Sequence, residues 1–283
     1  MSNSFTKASS QTISYAHNNL YDGFGTELTI SFWIKVSSWN QLSGVISKRS
    51  NASNTISYAV SLYNFFYPTM YLIVGNGAGG TFCQYSIDTI DFPVNEWVHI
   101  VATYDSTLTA NNRIKIYANG VPQVTTPDAE STPLIGNVNF QLYLGRDNEA
   151  GSQYLNGKLA EVGVWSRALV NQDVAALARG FRPDMINRFA LRFYSSLFGN
   201  RAYDSKNFFL PTANSSVADS DHPRVINRLS PSSNVFFAGG ESAGPSSDTP
   251  SYAGHKCMIV YINRSETFDA NISRNRAFNL DGG

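Results

Sequence analysis

Three oxygen-bearing side chains follow one another near the middle of the chain: Asp147, Asn148 and Glu149. Carboxylate and amide oxygens are hard ligands of the kind that Ca²⁺ prefers, and Gly151 close by suits a turn that would gather them. Calcium takes about 6–8 oxygens, and the sequence offers no second acidic cluster to supply the others. The same run is also typical of a solvated turn. A calcium site is therefore one of two interpretations.

An aromatic cluster suggests a different kind of binding site. Its members are Tyr63, Phe65, Phe66, Tyr67 and Tyr71. Exposed aromatic rings pack against the apolar faces of pyranose rings, and they also form contact patches between proteins. If the rings are buried, they belong instead to a hydrophobic core. The sequence leaves these three interpretations open.

The residue patterns of common hydrolases do not occur in this sequence. A retaining glycosidase needs two carboxylates about 5–5.5 Å apart, which two acids on one face of a strand provide. Glu161 is the nearest candidate, but strict alternation gives it Leu159 and Gly163 as same-face neighbours. His99 shares a strand face with Val101, which favours a structural role within a sheet. We therefore predict that the protein is not an enzyme and has no catalytic residues.

The charge balance argues against nucleic acid and membranes as partners. Lys plus Arg equals Asp plus Glu at 21 each, so no net charge attracts an anionic surface. No apolar run approaches the roughly 18 residues that a membrane helix needs, and no secretory signal is evident at the N-terminus. Cys83 and Cys257 lack metal-binding spacing. We expect reduced thiols and synthesis in a cytoplasm.

Alternation of polar and apolar residues predicts many short strands in the first two thirds of the chain. The clearest runs from Leu28 to Val36, and another ends at Asn119-Gly120, a strong signal for a two-residue hairpin. Many short strands separated by Gly-rich turns predict an all-β fold with two packed antiparallel sheets. The side chains that we expect between the sheets include Leu28, Ile30, Phe32, Ile34, Val162 and Val164.

Four strand-and-turn motifs between Trp97 and Leu169 occur in the order of a known architecture. They run from Trp97 to Tyr104, Arg113 to Gly120, Phe140 to Gly145, and Leu155 to Leu169. This order resembles the concanavalin A-like jelly roll in its laminin G/pentraxin branch. The resemblance implies a two-sheet jelly roll over residues 1–181 with lectin-like binding. In pentraxin relatives, the loop that corresponds to the one after Gly145 supplies calcium ligands.

One short helix is expected at the end of the jelly roll. Val174 and Leu177 share a face, Asn171 can cap the N-terminus, and Gly180 stands where a left-handed residue ends a helix. We place the domain boundary directly after this helix, at residue 181.

The remaining residues, 182–283, form a C-terminal extension with three spaced motifs. These are Arg182 to Ile186, Tyr194 to Gly199, and Asp221-His222-Pro223. They resemble the segment that follows laminin G-like domains in many bacteriophage virion and prophage proteins. The resemblance implies a virion structural protein, a capsid decoration or a tail component made in the host cytoplasm. Its partners would be other virion proteins, copies of itself and glycans. The alternative is a free, calcium-assisted lectin.

The end of the extension combines a polar stretch with a short apolar one. Ser230 to Ser251 is rich in Ser, Pro and Gly, whereas Met258 to Ile262 reads as a strand that needs a partner. We predict that the extension anchors the protein to its assembly, by adding a strand to a sheet edge or lying along a neighbouring subunit. The alternative is that it folds back and closes an edge of its own jelly roll.

Overall fold

A computed structural model describes residues 2–50, 55–64, 66–147, 153–198 and 202–226. Within these ranges the chain forms short strands, the helix α1 (Asn171–Ala178) and two 3₁₀ helices (Lys7–Ser9 and Pro183–Met185). The strands are β1 (Ser2–Phe5), β2 (Ile13–Tyr15), β3 (Glu27–Val36), β4 (Ser43–Arg49), β5 (Ile56–Tyr63), β6 (Thr69–Gly75), β7 (Phe82–Asp88), β8 (Val98–Asp105), β9 (Ile114–Ala118), β10 (Val121–Pro122), β11 (Thr126–Glu130), β12 (Leu142–Leu144), β13 (Arg146–Asp147), β14 (Gln153–Tyr154), β15 (Gly157–Trp165), β16 (Leu191–Ser195), β17 (Ala213–Asn214) and β18 (Val217–Asp219).

Two large sheets make up the fold. The first has the order β10-β9-β8-β3-β15-β1-β18, with β16 pairing to β15 as well, and the second has the order β11-β7-β6-β5-β4-β12-β2-β17. The strands pair antiparallel throughout both sheets. A separate hairpin joins β13 to β14. This arrangement confirms the predicted all-β jelly-roll sandwich.

The main core lies between the two sheets and contains the predicted residues. Leu28, Ile30, Phe32, Ile34, Val162 and Val164 are all buried, as expected. The Asn119-Gly120 turn is confirmed too: both residues have a positive φ, 50° and 81°, which a type I′ hairpin requires. The local turn chemistry and the hydrophobic pattern therefore specify the same register.

Helix α1 forms where the sequence predicts it, with one difference at its start. Val174 and Leu177 are buried, and Gly180 has a φ of 94°. The predicted cap is wrong, because Val170 occupies the cap position without a side-chain hydrogen bond. Asn171 is instead the first helical residue, and its Oδ1 accepts a hydrogen bond of 3.0 Å from the Tyr117 hydroxyl. The side chain thus ties the helix to the first sheet. None of the helices in the described ranges is long and apolar enough to cross a membrane.

A second, smaller core covers the outer face of the first sheet, the face turned away from the second sheet. It contains Trp165 and Leu169 from the jelly roll, Val174 and Leu177 from α1, and Leu191 beyond the helix. The Trp165 indole donates a 3.0 Å hydrogen bond to the carbonyl of Ile186. The elements that follow the jelly roll therefore bury part of the outer face of the first sheet.

Residues 182–226, which we call the tail, pair with the jelly roll. β16 pairs with β15, β17 with β2, and β18 with β1. One compact unit accordingly runs from Met1 to Ile226, past the predicted boundary at residue 181, because these three strands hydrogen-bond to the sheets. Anchoring to an assembly and closure of the jelly roll's own edges both stay predictions for the extension as a whole. The predictions for residues 227–283 lie outside the described part of the chain.

Candidate functional site

The outer face of the second sheet carries most of the aromatic cluster seen in the sequence. Leu62 of β5 and Leu72 of β6 point into the core, so their neighbours Tyr63 and Tyr71 point outward. Both tyrosines line an open pocket of about 380 Å³, together with Phe66 and Tyr67 from the β5–β6 loop. We call this the aromatic pocket. The fifth predicted member, Phe65, lies outside the described residues.

The four rings differ in exposure. Phe66, Tyr67 and Tyr63 are 86%, 56% and 40% exposed, whereas Tyr71 is 7% exposed. Tyr71 packs edge-on against Tyr63, with ring centroids 6.4 Å apart. Tyr71 therefore forms the floor of the pocket, and the other three rings stand around it. Of the four described rings, only Tyr71 fits the interpretation as simple core. Sugar binding and protein contact both stay predictions.

Four polar side chains from three strands complete the pocket. They are Thr69, Gln84, Ser86 and Asp128, from β6, β7 and β11. The register pairs Tyr71 with Ser86, which places the serine beside the floor, and Gln84 lies two residues earlier on the same face. The Gln84 Nε2 donates a 3.3 Å hydrogen bond to Asp128 Oδ2. Alternation along β7 predicts that Gln84 and Ser86 face outward, but nothing local in the sequence brings them to the aromatic loop.

The composition of the aromatic pocket suits recognition of a polyhydroxylated ligand. Rings supply apolar surface, while hydroxyl, amide and carboxylate groups supply hydrogen bonds in fixed directions. Among its described lining residues, Asp128 is the one carboxylate, and neither histidine nor cysteine is present. This set provides the groups for binding but no carboxylate pair for retaining or inverting glycoside hydrolysis.

The predicted calcium ligand Asp147 has a different partner in the structure. It is fully buried, and its Oδ1 and Oδ2 accept hydrogen bonds of 2.6 and 2.7 Å from the Arg49 guanidinium. Ser61 donates a further bond of 2.5 Å to Oδ2. Asn148 and Glu149 lie outside the described residues, and within those residues no three His, Cys, Asp or Glu side chains are grouped to hold a metal ion. Asp147 thus neutralises a buried cation, and the calcium prediction gains no support from it.

The ion pair between Arg49 and Asp147 belongs to a layer that covers part of the second sheet. β13 lies directly on β4: a Cβ atom at Gly44 would come within 1.9 Å of the backbone nitrogen of Asp147. Next to it, the Arg146 guanidinium stacks over Tyr143 and Tyr154, 4.9 and 5.4 Å from the ring centroids. This half of the outer face is packed, whereas the half at β5, β6 and β7 carries the aromatic pocket.

A second polar cluster lies on the outer face of the first sheet, centred on Glu161. The register between β15 and β3 shifts between Ala160 and Gly163, and Glu161 has a φ of 53°, which is unusual for a residue other than glycine. This bulge overturns the predicted alternation. Leu159 packs in the main core, while Glu161 reaches the side covered by the tail and is 4% exposed.

The three spaced tail motifs meet at this glutamate. The Tyr194 hydroxyl donates a 2.6 Å hydrogen bond to Glu161 Oε2, and Arg182 Nε donates a 3.1 Å bond to the same hydroxyl. His222 Nε2 lies 3.6 Å from Glu161 Oε1. One residue from each of the three motifs therefore lies in the cluster around Glu161, although the motifs are far apart in the sequence. The motifs thus serve to attach the tail to the first sheet.

Burial changes the titration of this cluster. It raises the pKa of Glu161 to about 7 and lowers the pKa of His222. Both shifts favour the neutral forms of these side chains. The neighbouring Asp221 behaves differently, since a bond from Lys35 Nζ at 2.8 Å lowers its pKa to about 2.

His99 occupies the structural position that the sequence predicts. It is 1% exposed, and its Nε2 lies 2.9 Å from the Ser31 hydroxyl oxygen. Burial lowers its pKa to about 3. The ring therefore remains neutral inside the sheet at physiological pH.

Comparison with known families agrees with this architecture. The family described as the concanavalin A-like lectin/glucanases superfamily matches residues 7–175, which is more than half of the chain. The protein belongs to this superfamily. The match covers the jelly roll except β1, includes most of α1 and stops before the tail.

Several known proteins are similar to this chain at low sequence identity. A protein from Bacteroides ovatus ATCC 8483, to which carbohydrate binding is ascribed, gives a TM-score of 0.55 at 19% identity over 76% of this chain and 58% of that one. A heptameric SAP-like pentraxin from Limulus polyphemus gives 0.46 at 16% identity over 78% and 92%. The adhesion G-protein coupled receptor D1 of Homo sapiens is 28% identical over 79 residues, 28% of this chain and 9% of the receptor. The chain therefore spans a small part of the curated relative and somewhat over half of the first structure.

Proposed function

We propose that the protein is a non-enzymatic, glycan-binding jelly roll whose binding site is the aromatic pocket. The observation that carries this proposal is the combination of exposed rings, Phe66 and Tyr67, with the polar groups of Gln84, Ser86 and Asp128 in one pocket. Large exposed aromatic side chains carry a hydration cost that a ligand removes. The carbohydrate binding ascribed to the Bacteroides ovatus protein of similar fold is consistent with this role.

The geometry also indicates how a sugar would bind. The C–H face of a pyranose packs on an aromatic ring, while its hydroxyls need donors and acceptors at the rim. The pocket is open and about 380 Å³ in volume, which suits one or two sugar units rather than an enclosed ligand. A site of this kind binds weakly alone and gains strength when many copies engage one surface.

We further propose that the protein is displayed on a bacteriophage particle. The three tail motifs support this, because they resemble those of virion proteins and meet in one contact at Glu161. A particle would present many jelly rolls and so supply the avidity that a weak site needs. The extension beyond the tail would anchor the protein to other virion proteins or to copies of itself, after synthesis in the host cytoplasm.

The glycan-binding proposal is tested with two matched phenylalanine variants on a glycan array. Phe66 and Phe189 are both strongly exposed, at 86% and 98%, but Phe189 lies in the tail. We expect Phe66→Ala to weaken binding about tenfold, since an aromatic stacking contact contributes on the order of 1 kcal/mol beyond its buried area. Phe189→Ala should bind like the wild type. Absence of binding by the wild-type protein, or equal losses in both variants, would refute the assignment of the pocket.

The virion proposal has a separate test in purified particles. Peptides of this protein should be found in particles after density-gradient purification, at a constant ratio to the major capsid protein. If the protein occurs only in the soluble lysate, the display proposal is wrong. Strong glycan binding together with that result would favour the free lectin instead.

A further inference from the structure

Asp128 lies at the rim of the aromatic pocket, on the edge strand β11. Pro127 pairs with Tyr85 and Ala129 pairs with Gln84, so Asp128 is an extra residue between them. Such bulges are common at sheet edges and next to active sites. In a regular strand Asp128 would itself pair with Gln84, so its side chain faces the pocket with or without the bulge.

Asp128 brings a negative charge to the rim of the pocket. Asp128 is exposed, and it accepts a hydrogen bond of 3.3 Å from the neutral amide of Gln84. Among the described residues that line the pocket, none is Lys or Arg. The nearby acid Glu130 differs, because Arg113 NH1 lies 2.5 Å from its Oε2. Asp128 therefore gives the described lining of the pocket a negative charge that no lining cation offsets.

We propose that Asp128 makes this site selective for uncharged glycans and excludes sialylated, uronic and sulfated ones. This inference rests on the proposed function of the pocket. A carboxylate can accept hydrogen bonds from two neighbouring sugar hydroxyls at once. The bond from Gln84 to Oδ2 orients the Asp128 carboxylate and leaves Oδ1 available to a sugar. The same carboxylate repels an anionic sugar across a short distance in a pocket whose described lining offers no cation to offset it.

The test compares neutral and anionic oligosaccharides on wild type and Asp128→Asn. The probes are lactose, maltotriose, cellotriose and chitotriose as neutral ligands, with 3′-sialyllactose and tri-galacturonic acid as anionic ones, titrated by calorimetry. Wild type should bind at least one neutral probe and bind the anionic probes at least tenfold more weakly. Asp128→Asn should lose about tenfold in affinity for the neutral probe, because hydrogen bonds to a charged group are worth more than neutral ones. It should also narrow the difference between lactose and sialyllactose.

A matched control removes another exposed carboxylate with the same change of charge. Glu96 precedes β8 of the first sheet and is exposed. Glu96→Gln should bind every probe like the wild type, and all three proteins should have the same melting temperature. An equal effect of both variants would mean that overall charge rather than Asp128 sets the preference, and the inference would fall.

The remaining outcomes separate this inference from the proposed function. If Phe66→Ala weakens binding but Asp128→Asn leaves the neutral-to-anionic ratio unchanged, the pocket binds glycans and the selectivity inference is wrong. Preferential binding of sialyllactose by wild type would likewise overturn the selectivity inference alone. If wild type binds no glycan on the array or in the titrations, the proposed function and the inference both fail.

Discussion

The outer faces of the two sheets differ in how far other elements cover them. Helix α1 and the tail cover the first sheet, where Glu161 and Trp165 are buried with hydrogen-bond partners. The β13–β14 hairpin covers the second sheet at β4. The aromatic pocket lies on the uncovered part of the same face, where Phe66 and Tyr67 are exposed. The difference shows where to look for function. Buried polar groups under a cover serve stability here, and the exposed aromatic rings are the candidates for binding.

The largest effect is expected where the second sheet is covered. Replacement Asp147→Ala would leave the Arg49 guanidinium, whose side chain is 5% exposed, without its carboxylate. Breaking a buried ion pair on one side costs about 3–5 kcal/mol, and we expect a loss of that size in the free energy of unfolding measured with urea.

The matched control for this prediction is Asp128→Ala in the open half of the same face. Asp128 is exposed, and a surface substitution of this kind should change stability by less than about 0.5 kcal/mol. Similar losses from both variants would contradict the division of the sheet into a structural half and a binding half.

A smaller loss is expected from Tyr194→Phe in the tail cover of the first sheet. The substitution removes the hydroxyl that donates to Glu161 and leaves a buried carboxyl oxygen without this bond, at a cost of about 1–3 kcal/mol. Tyr143→Phe is the control, since its hydroxyl bonds to Gln141 in a partly exposed position. If the two variants unfold at the same urea concentration, the contact at Glu161 does not fasten the tail.

The pH dependence of Glu161 gives a third and subtler comparison. Its pKa rises from 4.5 to about 7 on folding, so its favourable contribution is complete below about pH 4.5 and is lost as the pH rises through about 7. Gln cannot titrate, so the free energy of unfolding of the wild type should fall relative to that of Glu161→Gln between about pH 4.5 and 7. Above this range the difference between the two proteins should stay constant. Urea unfolding of both proteins at a series of pH values measures this.

Other charged groups around Glu161 set the controls for this measurement. His222, Arg182 and Asp184 face it from the tail, and they are present in both proteins. The lowered pKa of His222 acts in the opposite sense, with stability lost as the pH falls, so only the difference between the two unfolding curves is informative. A difference that stays constant from about pH 4 to 8 would show that Glu161 titrates normally in the folded state.

Most of the fold could be predicted from local patterns. Alternation places Leu28 to Val36 correctly, and Asn119-Gly120 fixes a hairpin, because each depends on residues close in the sequence. The tail could not be placed in this way. The pairing of β16 with β15 requires a sheet that is assembled from segments far apart in the sequence. The bulge at Glu161 also breaks the alternation with a period of two on which strand prediction relies.

The candidate site could likewise be predicted only where its residues are close together in the sequence. The aromatic residues are close in sequence and recognisable by type, whereas Gln84 and Asp128 reach the pocket through the pairing of strands that are distant in sequence. The calcium prediction treats Asp147 as an exposed loop residue. Its partner in the structure, Arg49, comes from β4, far away in the sequence, and no local signal indicates that pairing.

The central claim, that glycans bind at the aromatic pocket, is tested most directly by NMR of protein labelled with fluorotyrosine. Each tyrosine then reports on its own surroundings during a titration with the neutral oligosaccharide that binds best on the array. The account predicts that the signals of Tyr63, Tyr67 and Tyr71 shift together and saturate with one dissociation constant. Tyr143 and Tyr154, which stack on Arg146 under the other half of the face, should stay unchanged. Shifts confined to tyrosines outside the pocket, or no shift at millimolar oligosaccharide, would contradict it.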